Sequence, residues 1–140
     1  MKASIDFALK LNRIKSKAAT EGIVIYWYNA YRPIIVQEEL HKCWEDPKCR
    51  EQRHIVFEPA LPGESTHNYG EGIDWYCLPI WSYHRCNQLA KDEGLRIGLS
   101  FGDPYHWDNL YAYYDTVLES TAIGIENMRK NWTEAKLVEI

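Results

Sequence analysis

His67 and Asp74 stand seven positions apart in the stretch Glu64-Ser-Thr-His-Asn-Tyr-Gly-Glu-Gly-Ile-Asp74, with Gly70 and Gly72 between them. An imidazole and a carboxylate are both ligands for a borderline divalent cation. A straight strand would hold the two side chains roughly 23 Å apart on opposite faces. A helix would carry two interior glycines at about 1 kcal/mol each. The stretch is therefore read as a bend at Asn68-Tyr69-Gly70 that enters a strand at Ile73, aiming both side chains at one point. A second stretch, Phe101-Gly-Asp-Pro-Tyr-His-Trp107, sets Asp103 three residues before His106. Together His67, Asp74 and His106 meet the count of a catalytic zinc site, three N/O ligands and an open position. Zinc so held brings the pKa of a water to roughly 7 and polarises a carbonyl. Asp103, one bend from His106, is then placed as the general base.

A third stretch is Tyr31-Arg32-Pro33, where a strand meets a helix. With Pro33 as the first helical residue, Arg32 falls at the cap, where Ser, Thr, Asp or Asn is expected. A cation there opposes the helix dipole at about 0.3–1 kcal/mol. Local rules are broken most often at functional sites, so Arg32 is a candidate for holding a carboxylate or an oxyanion. The plainer alternatives are a solvated arginine, a lone structural histidine and an aspartate in ordinary turn chemistry. His41 and His84 fall in helices and His54 in a loop, and all three are read as structural.

The elements that must position these groups follow from pattern. Ser4 caps a first helix, with Phe7, Leu9, Leu11 and Ile14 on its apolar positions, that ends at Gly22. Residues 23–30, IVIYWYNA, form a β-branched and aromatic strand. A second helix runs from Pro33 through PIIVQEELHKCWE. Residues 46–64 read as a long loop with a short strand at HIVF. A third helix, PIWSYHRCNQLAKDEG, stops at Gly94, and a short strand lies around LRIGLSF. The segment YAYYDTVLESTAIGIENMRKNW reads as a closing helix. The expected fold is α+β, a small antiparallel sheet flanked by helices, as one domain over residues 1–140.

Composition fits a soluble globular protein, 46% hydrophobic and 26% charged. A net charge of −4 without a basic stripe argues against nucleic acid as the partner. The 6 Trp and 10 Tyr fit either core packing or a carbohydrate- or peptide-lined groove. No apolar run approaches the ~20 residues of a membrane span, and the first 22 residues do not read as a secretory signal. Cys43, Cys49, Cys77 and Cys86 have no C-x-x-C spacing and are expected as buried free thiols. A Cys43–Cys49 pair under oxidising conditions is the open alternative.

Read together, Tyr31-Arg-Pro33 with Gln37, Ser65-x-His67-x-x-Gly70-x-x-x-Asp74 and Asp103-x-x-His106 resemble, in this order, the zinc D-alanyl-D-alanine carboxypeptidase and L-alanyl-D-glutamate peptidase family. That family includes VanY-type carboxypeptidases and phage endolysins and shares its fold with the zinc domain of hedgehog proteins. The resemblance spans roughly residues 22–110. It implies Zn2+ on His67, Asp74 and His106, with Asp103 as catalytic base and Arg32 stabilising the polarised carbonyl. It also implies that Ser65 and Gln37 bind substrate. Two departures bear on specificity. Ser100-Phe-Gly-Asp103 stands where many relatives have Trp-Gly-Gly before the acid, and Trp107-Asp108 stands where many have Phe-Glu.

The expected function is a monomeric zinc metallopeptidase acting on peptidoglycan stem peptides. The expected type is a phage or prophage endolysin that cleaves L-alanyl-D-glutamate bonds. It would wait in the host cytoplasm and reach the wall once the membrane is breached. The alternatives are a D-alanyl-D-alanine carboxypeptidase, a zinc-bearing interaction domain without turnover, or a metal held by the cysteines with the histidines incidental.

Overall fold

In a computed structural model of the 140-residue chain, residues 1–114 and 120–140 are described. Helix α1 (Ile5–Thr20) starts where the Ser4 hydroxyl accepts a hydrogen bond from Phe7 N at 3.3 Å. A cap of this kind contributes about 1 kcal/mol. Phe7, Leu11, Ile14 and Ala18 recur at helical spacing and are fully buried against a four-stranded sheet. The sheet is antiparallel, in the order β2 (Val24–Asn29), β3 (Gly72–Leu78), β5 (His106–Asp108), β4 (Arg96–Ile97).

The pleat of β3 divides its side chains. Ile73, Trp75 and Cys77 point into the core, where Trp75 stacks on Trp107 with ring centroids 4.1 Å apart. Helix α4 (Tyr83–Asp92) closes that core through Cys86, Leu89 and Ala90. The register pairs Asp74 with His106. Residues directly opposite in adjacent strands share a face, so both side chains leave the sheet on the side away from α1. The architecture is the expected α+β fold with a small antiparallel sheet and flanking helices.

Several boundaries differ from the sequence reading. Pro33 is the cap of α2 (Ile34–Glu45) and not its first helical residue, so Arg32 lies one position outside the helix. Residues 46–64 hold a helix, α3 (Pro47–Gln52), because the Asp46 carboxylate accepts from Lys48 N and Cys49 N. The HIVF stretch forms no strand; it follows a turn at His54, whose φ is 54°. The bend at Asp46 also brings Cys43 and Cys49 together as a disulfide, while Cys77 and Cys86 are buried free thiols. The expectation of four free thiols therefore holds for two. Leu110–Tyr113 form a 3-10 turn, residues 115–119 of the expected closing helix lie outside the described residues, and α5 runs over Thr121–Asn131 from a Ser120 cap. A terminal ribbon pairs β1 (Lys2–Ser4) with β6 (Leu137–Glu139), a non-local contact that no periodicity announces. Among the described residues, no helix is long and apolar enough to cross a membrane.

Candidate metal centre and catalytic cleft

The turn carrying His67 is built by local chemistry. Residues Thr66–Tyr69 make a 3-10 turn whose cap is Ser65: its hydroxyl accepts from His67 N at 3.2 Å. Asn68 reciprocates, its Oδ1 accepting from Gly63 N and Ser65 N. The turn ends on Gly70 at φ 69°, a conformation glycine adopts without the Cβ penalty. Gly72 then passes so close to the site that a Cβ would meet Thr66 Oγ1 at 2.5 Å and His106 Cε1 at 3.1 Å. The two glycines between His67 and Asp74 thus serve different ends, one a reversal and the other a close approach.

Each imidazole has one nitrogen tied back and the other free to face the site. His67 Nδ1 lies 2.8 Å from the Ala30 carbonyl, which fixes it as the N–H and turns Nε2 inward. His106 Nε2 lies 2.9 Å from Asp108 Oδ2 and turns Nδ1 inward. Asp108 is fully buried and is gripped by Arg96, whose Nη2 donates at 2.6 Å and whose Nε donates at 3.0 Å. Asp74 Oδ1 lies 3.2 Å from both inward nitrogens, and its Oδ2 accepts from Asn29 Nδ2 at 2.9 Å.

The three donor atoms of His67, Asp74 and His106 fall within 4.8 Å of one another. Ligands of a tetrahedral zinc at about 2.0–2.2 Å stand roughly 3.3–3.6 Å apart, close to the two Asp74–imidazole separations. Two imidazoles, each with its outer nitrogen held by a protein acceptor, and one carboxylate make a donor set that fits the ion.

Electrostatics hold the group together. Burial raises the Asp74 carboxyl, but the hydrogen bonds from His106 and His67 and their charges outweigh it and keep Asp74 far below the usual carboxylate range. Burial would lower the His106 imidazole, yet its hydrogen bonds to Asp108 and Asp74 push it up to about 9.

Asp103 stands beside this group, its Oδ2 3.9 Å from His106 Nδ1, and its side chain is 56% exposed. Burial raises its carboxyl above the ordinary value against the pull of His106. Gly98 fixes the loop that delivers it: a Cβ there would stand 2.0 Å from the Asp103 carbonyl oxygen. Arg32 lines the same cleft. Its backbone N–H donates to the His67 carbonyl at 2.9 Å, and its own carbonyl accepts from Asn68 Nδ2 at 2.9 Å, so the two segments are stitched together. Its Nη1 donates to Gln37 Oε1 at 2.8 Å, and Gln37 Nε2 donates to the Ala60 carbonyl at 2.7 Å. Arg32, Gln37, Ser65, His67, Asp74, Asp103 and His106 all line one cleft of about 570 Å³.

The cleft therefore gathers all seven residues singled out in the sequence. Within it, Gln37 is buried and both ends of its amide are engaged, so it orients Arg32; Ser65 caps the histidine turn. Sequence reasoning missed Asn29, Arg96 and Asp108. Asp108 sits two residues after His106, the strand spacing that puts both on one face, and that was the available signal. Arg96 and Asn29 reach the site only through strand pairing, Arg96 opposite Asp108 and Asn29 opposite Asp74.

The sequence profile of the VanY family, described as D-alanyl-D-alanine carboxypeptidase, matches residues 2–93. No curated protein sequence matches the chain. Among solved structures, the chain is similar to a variant of the vancomycin-resistance D,D-pentapeptidase VanY from a VanB-type resistance cassette in complex with Zn(II). Identity is 17%, TM-score 0.58, with 91% of this chain and 83% of that one covered. It is likewise similar to VanYB in complex with D-alanine-D-alanine, at 16% identity and TM-score 0.57, covering 91% of this chain and 77% of that one. At these identities the likeness speaks for the fold, and it extends beyond the profile match that stops short of Asp103 and His106. The profile match spans well over half of the sequence, and the chain belongs to the VanY family of D-alanyl-D-alanine carboxypeptidases.

Proposed function

We propose that the chain is a zinc peptidase that hydrolyses peptidoglycan stem peptides, with His67, Asp74 and His106 holding the ion. The observation that carries this reading is the convergence of three donor atoms of the right types, with a carboxylate beside them that is not one of the three. Zinc there supplies a Lewis acid that polarises the scissile carbonyl and makes water a better nucleophile at neutral pH. Asp103 takes the proton of the attacking water on a carboxylate oxygen and returns it to the leaving amine. Arg32, held in place by Gln37, offers guanidinium N–H groups to the carbonyl oxygen as charge develops there. Ser65 contributes to the substrate-facing wall.

Within that reading the L-alanyl-D-glutamate bond is the favoured target, because the motifs resemble a family that includes phage endolysins. A host-cytoplasmic endolysin that meets the wall after membrane damage is the corresponding setting. A second reading, D-alanyl-D-alanine carboxypeptidase, is favoured by the description of the matching family and by the ligand of VanYB. Digestion of purified peptidoglycan with the zinc-loaded protein, followed by mass spectrometry of the muropeptides, separates the two. New D-glutamate amino termini support the endopeptidase; release of free D-alanine alone supports the carboxypeptidase. Activity that survives complete removal of metal by a chelator overturns both.

A further inference from the structure

The face of the sheet that carries Asp74 continues past the cleft as an exposed aromatic ridge. Val24, Tyr26, Tyr28, Tyr76 and Leu78 are each 40–54% exposed, whereas Ile25, Trp75 and Cys77 on the other face are at most 2% exposed. Tyr26 and Tyr76 are cross-strand partners with rings stacked at 4.8 Å, and Tyr28 lies against Tyr76 at 6.2 Å. Tyr28 sits at the irregularity where β2 slips register on β3, next to Asn29, whose side chain donates to Asp74 at 2.9 Å. Asp74 and Tyr76 are two residues apart on one strand face, about 7 Å. The ridge is therefore continuous with the wall of the metal centre.

We infer that this ridge, Tyr26, Tyr28 and Tyr76 flanked by Val24 and Leu78, binds the uncharged amino-sugar strand to which stem peptides are attached. The inference rests on the reading of the cleft as a stem-peptide site. Contiguous exposed apolar surface marks an interaction site. Tyrosine combines an apolar ring with a polar tip, which complements a pyranose with its apolar C–H faces and rim of hydroxyls. None of the five side chains is charged, so the ridge has nothing to offer a phosphate backbone. The tether decides the rest. An extended peptide spans at most about 3.6 Å per residue, so a sugar joined one or two residues from the scissile bond lies no more than about 4–7 Å away, within reach of the near end of the ridge at Tyr76. A sugar joined four residues away can lie up to about 14 Å off. The ridge begins beside the metal centre and therefore suits a glycan held close to the reacting bond, as in a peptide cut near its attachment point.

The test uses the zinc-loaded full chain. Chitotetraose, a linear N-acetylglucosamine tetramer without peptide, is titrated by NMR. Binding should shift the Tyr26, Tyr28 and Tyr76 signals, be lost in Tyr26→Ala/Tyr76→Ala, and be retained in Tyr26→Phe/Tyr76→Phe, which keeps the rings. In parallel, the rate on intact sacculi divided by the rate on a free stem peptide should fall about tenfold in the Ala pair and little in the Phe pair. No chitotetraose binding by the unsubstituted chain overturns the inference, as does an unchanged rate ratio in a folded Ala pair. A dimer in sedimentation that the Ala pair dissolves also overturns it, because the ridge would then belong to a second copy. Failure of the unsubstituted chain to cut either substrate overturns the peptidase reading instead, and the sugar titration still reports on the ridge.

Discussion

Asp108 and His106 form a buried pair: the carboxylate stands 2.9 Å from Nε2 and is itself clamped by two nitrogens of Arg96. The pair sets which imidazole nitrogen faces Asp74. Removing the carboxylate frees the ring to rotate and leaves Arg96, only 15% exposed, without its partner. Asp108→Ala is expected to weaken zinc binding 10–100-fold, as loss of an outer partner of a ligating histidine does. It should also cost about 3–5 kcal/mol of stability. Competition with a chromogenic chelator and thermal denaturation measure the two effects; unchanged zinc affinity would show that the ring is oriented without Asp108.

Asp103 lies next to His106 without belonging to the three donors. Asp103→Asn should therefore keep one zinc per chain and lose about 10²–10⁴-fold in kcat, the range for removal of a general base. Metal analysis together with turnover of a stem peptide checks this. Loss of the metal along with activity would mean that Asp103 is a ligand instead.

Arg32 and Gln37 are linked by a 2.8 Å hydrogen bond, and Gln37 is buried. Arg32→Ala is expected to lower kcat by about 10²–10³, comparable to loss of one oxyanion donor. Gln37→Leu should produce a smaller fall in kcat, because the guanidinium stays but loses its orientation. Equal zinc content in both variants confirms that the deficit lies with substrate, and an unaffected kcat in Arg32→Ala removes the residue from the reaction.

Gly72 has no room for a side chain. Its added Cβ would press on Thr66 Oγ1 at 2.5 Å and on the His67 backbone nitrogen at 3.0 Å. Gly72→Ala is expected to cost about 1–3 kcal/mol as overpacking and to weaken zinc binding, since the strand must move away from both histidines. Gly72 lies in β3 and has no positive φ, so the cost of its Cβ reports the close approach rather than backbone strain. A Gly72→Ala protein as stable as the parent would contradict the close approach.

What could be read from the chain and what could not divide along sequence distance. His67, Asp74, Asp103 and His106 lie in two short stretches whose turn chemistry is local, and Ser4, Gly70 and the alternation in β3 place them. The clamps on these groups are not local. Arg96 meets Asp108 only because β4 pairs with β5, and Asn29 meets Asp74 only because β2 pairs with β3. The same holds for the terminal ribbon, whose two strands are three residues each and lie at opposite ends of the sequence. The α3 helix was legible in principle: Asp46-Pro47 is a cap followed by proline at the first helical position. Charge and proline content of the surrounding loop masked it.

Thiol reactivity follows from burial. The Cys86 thiol is pushed up to about 12 by burial and by its neighbour Cys77, whose own value burial also raises. The folded-state value exceeds the ordinary thiol value of about 8.5, so the linked stability is fully present below pH ~8 and declines as pH rises toward 12. At pH 8 the native protein should resist iodoacetamide. Under denaturant two thiols should react, and four after reduction, because Cys43 and Cys49 are bonded. Mass spectrometry counts the adducts. Rapid labelling of native Cys86 would contradict its burial.

The terminal ribbon has a consequence for the histidine turn. Ser4 N donates to the Gly70 carbonyl and Tyr31 N to the Lys2 carbonyl, while Leu137 fills the space above Gly70. A short two-stranded ribbon ordinarily opens locally, with little else involved. Here β1 braces the loop that presents His67, so opening of the ribbon should loosen the grip on the ion. Amide protons of β1 and β6 should accordingly exchange more slowly once the cation is in place, making the ribbon a remote gauge of occupancy at the site.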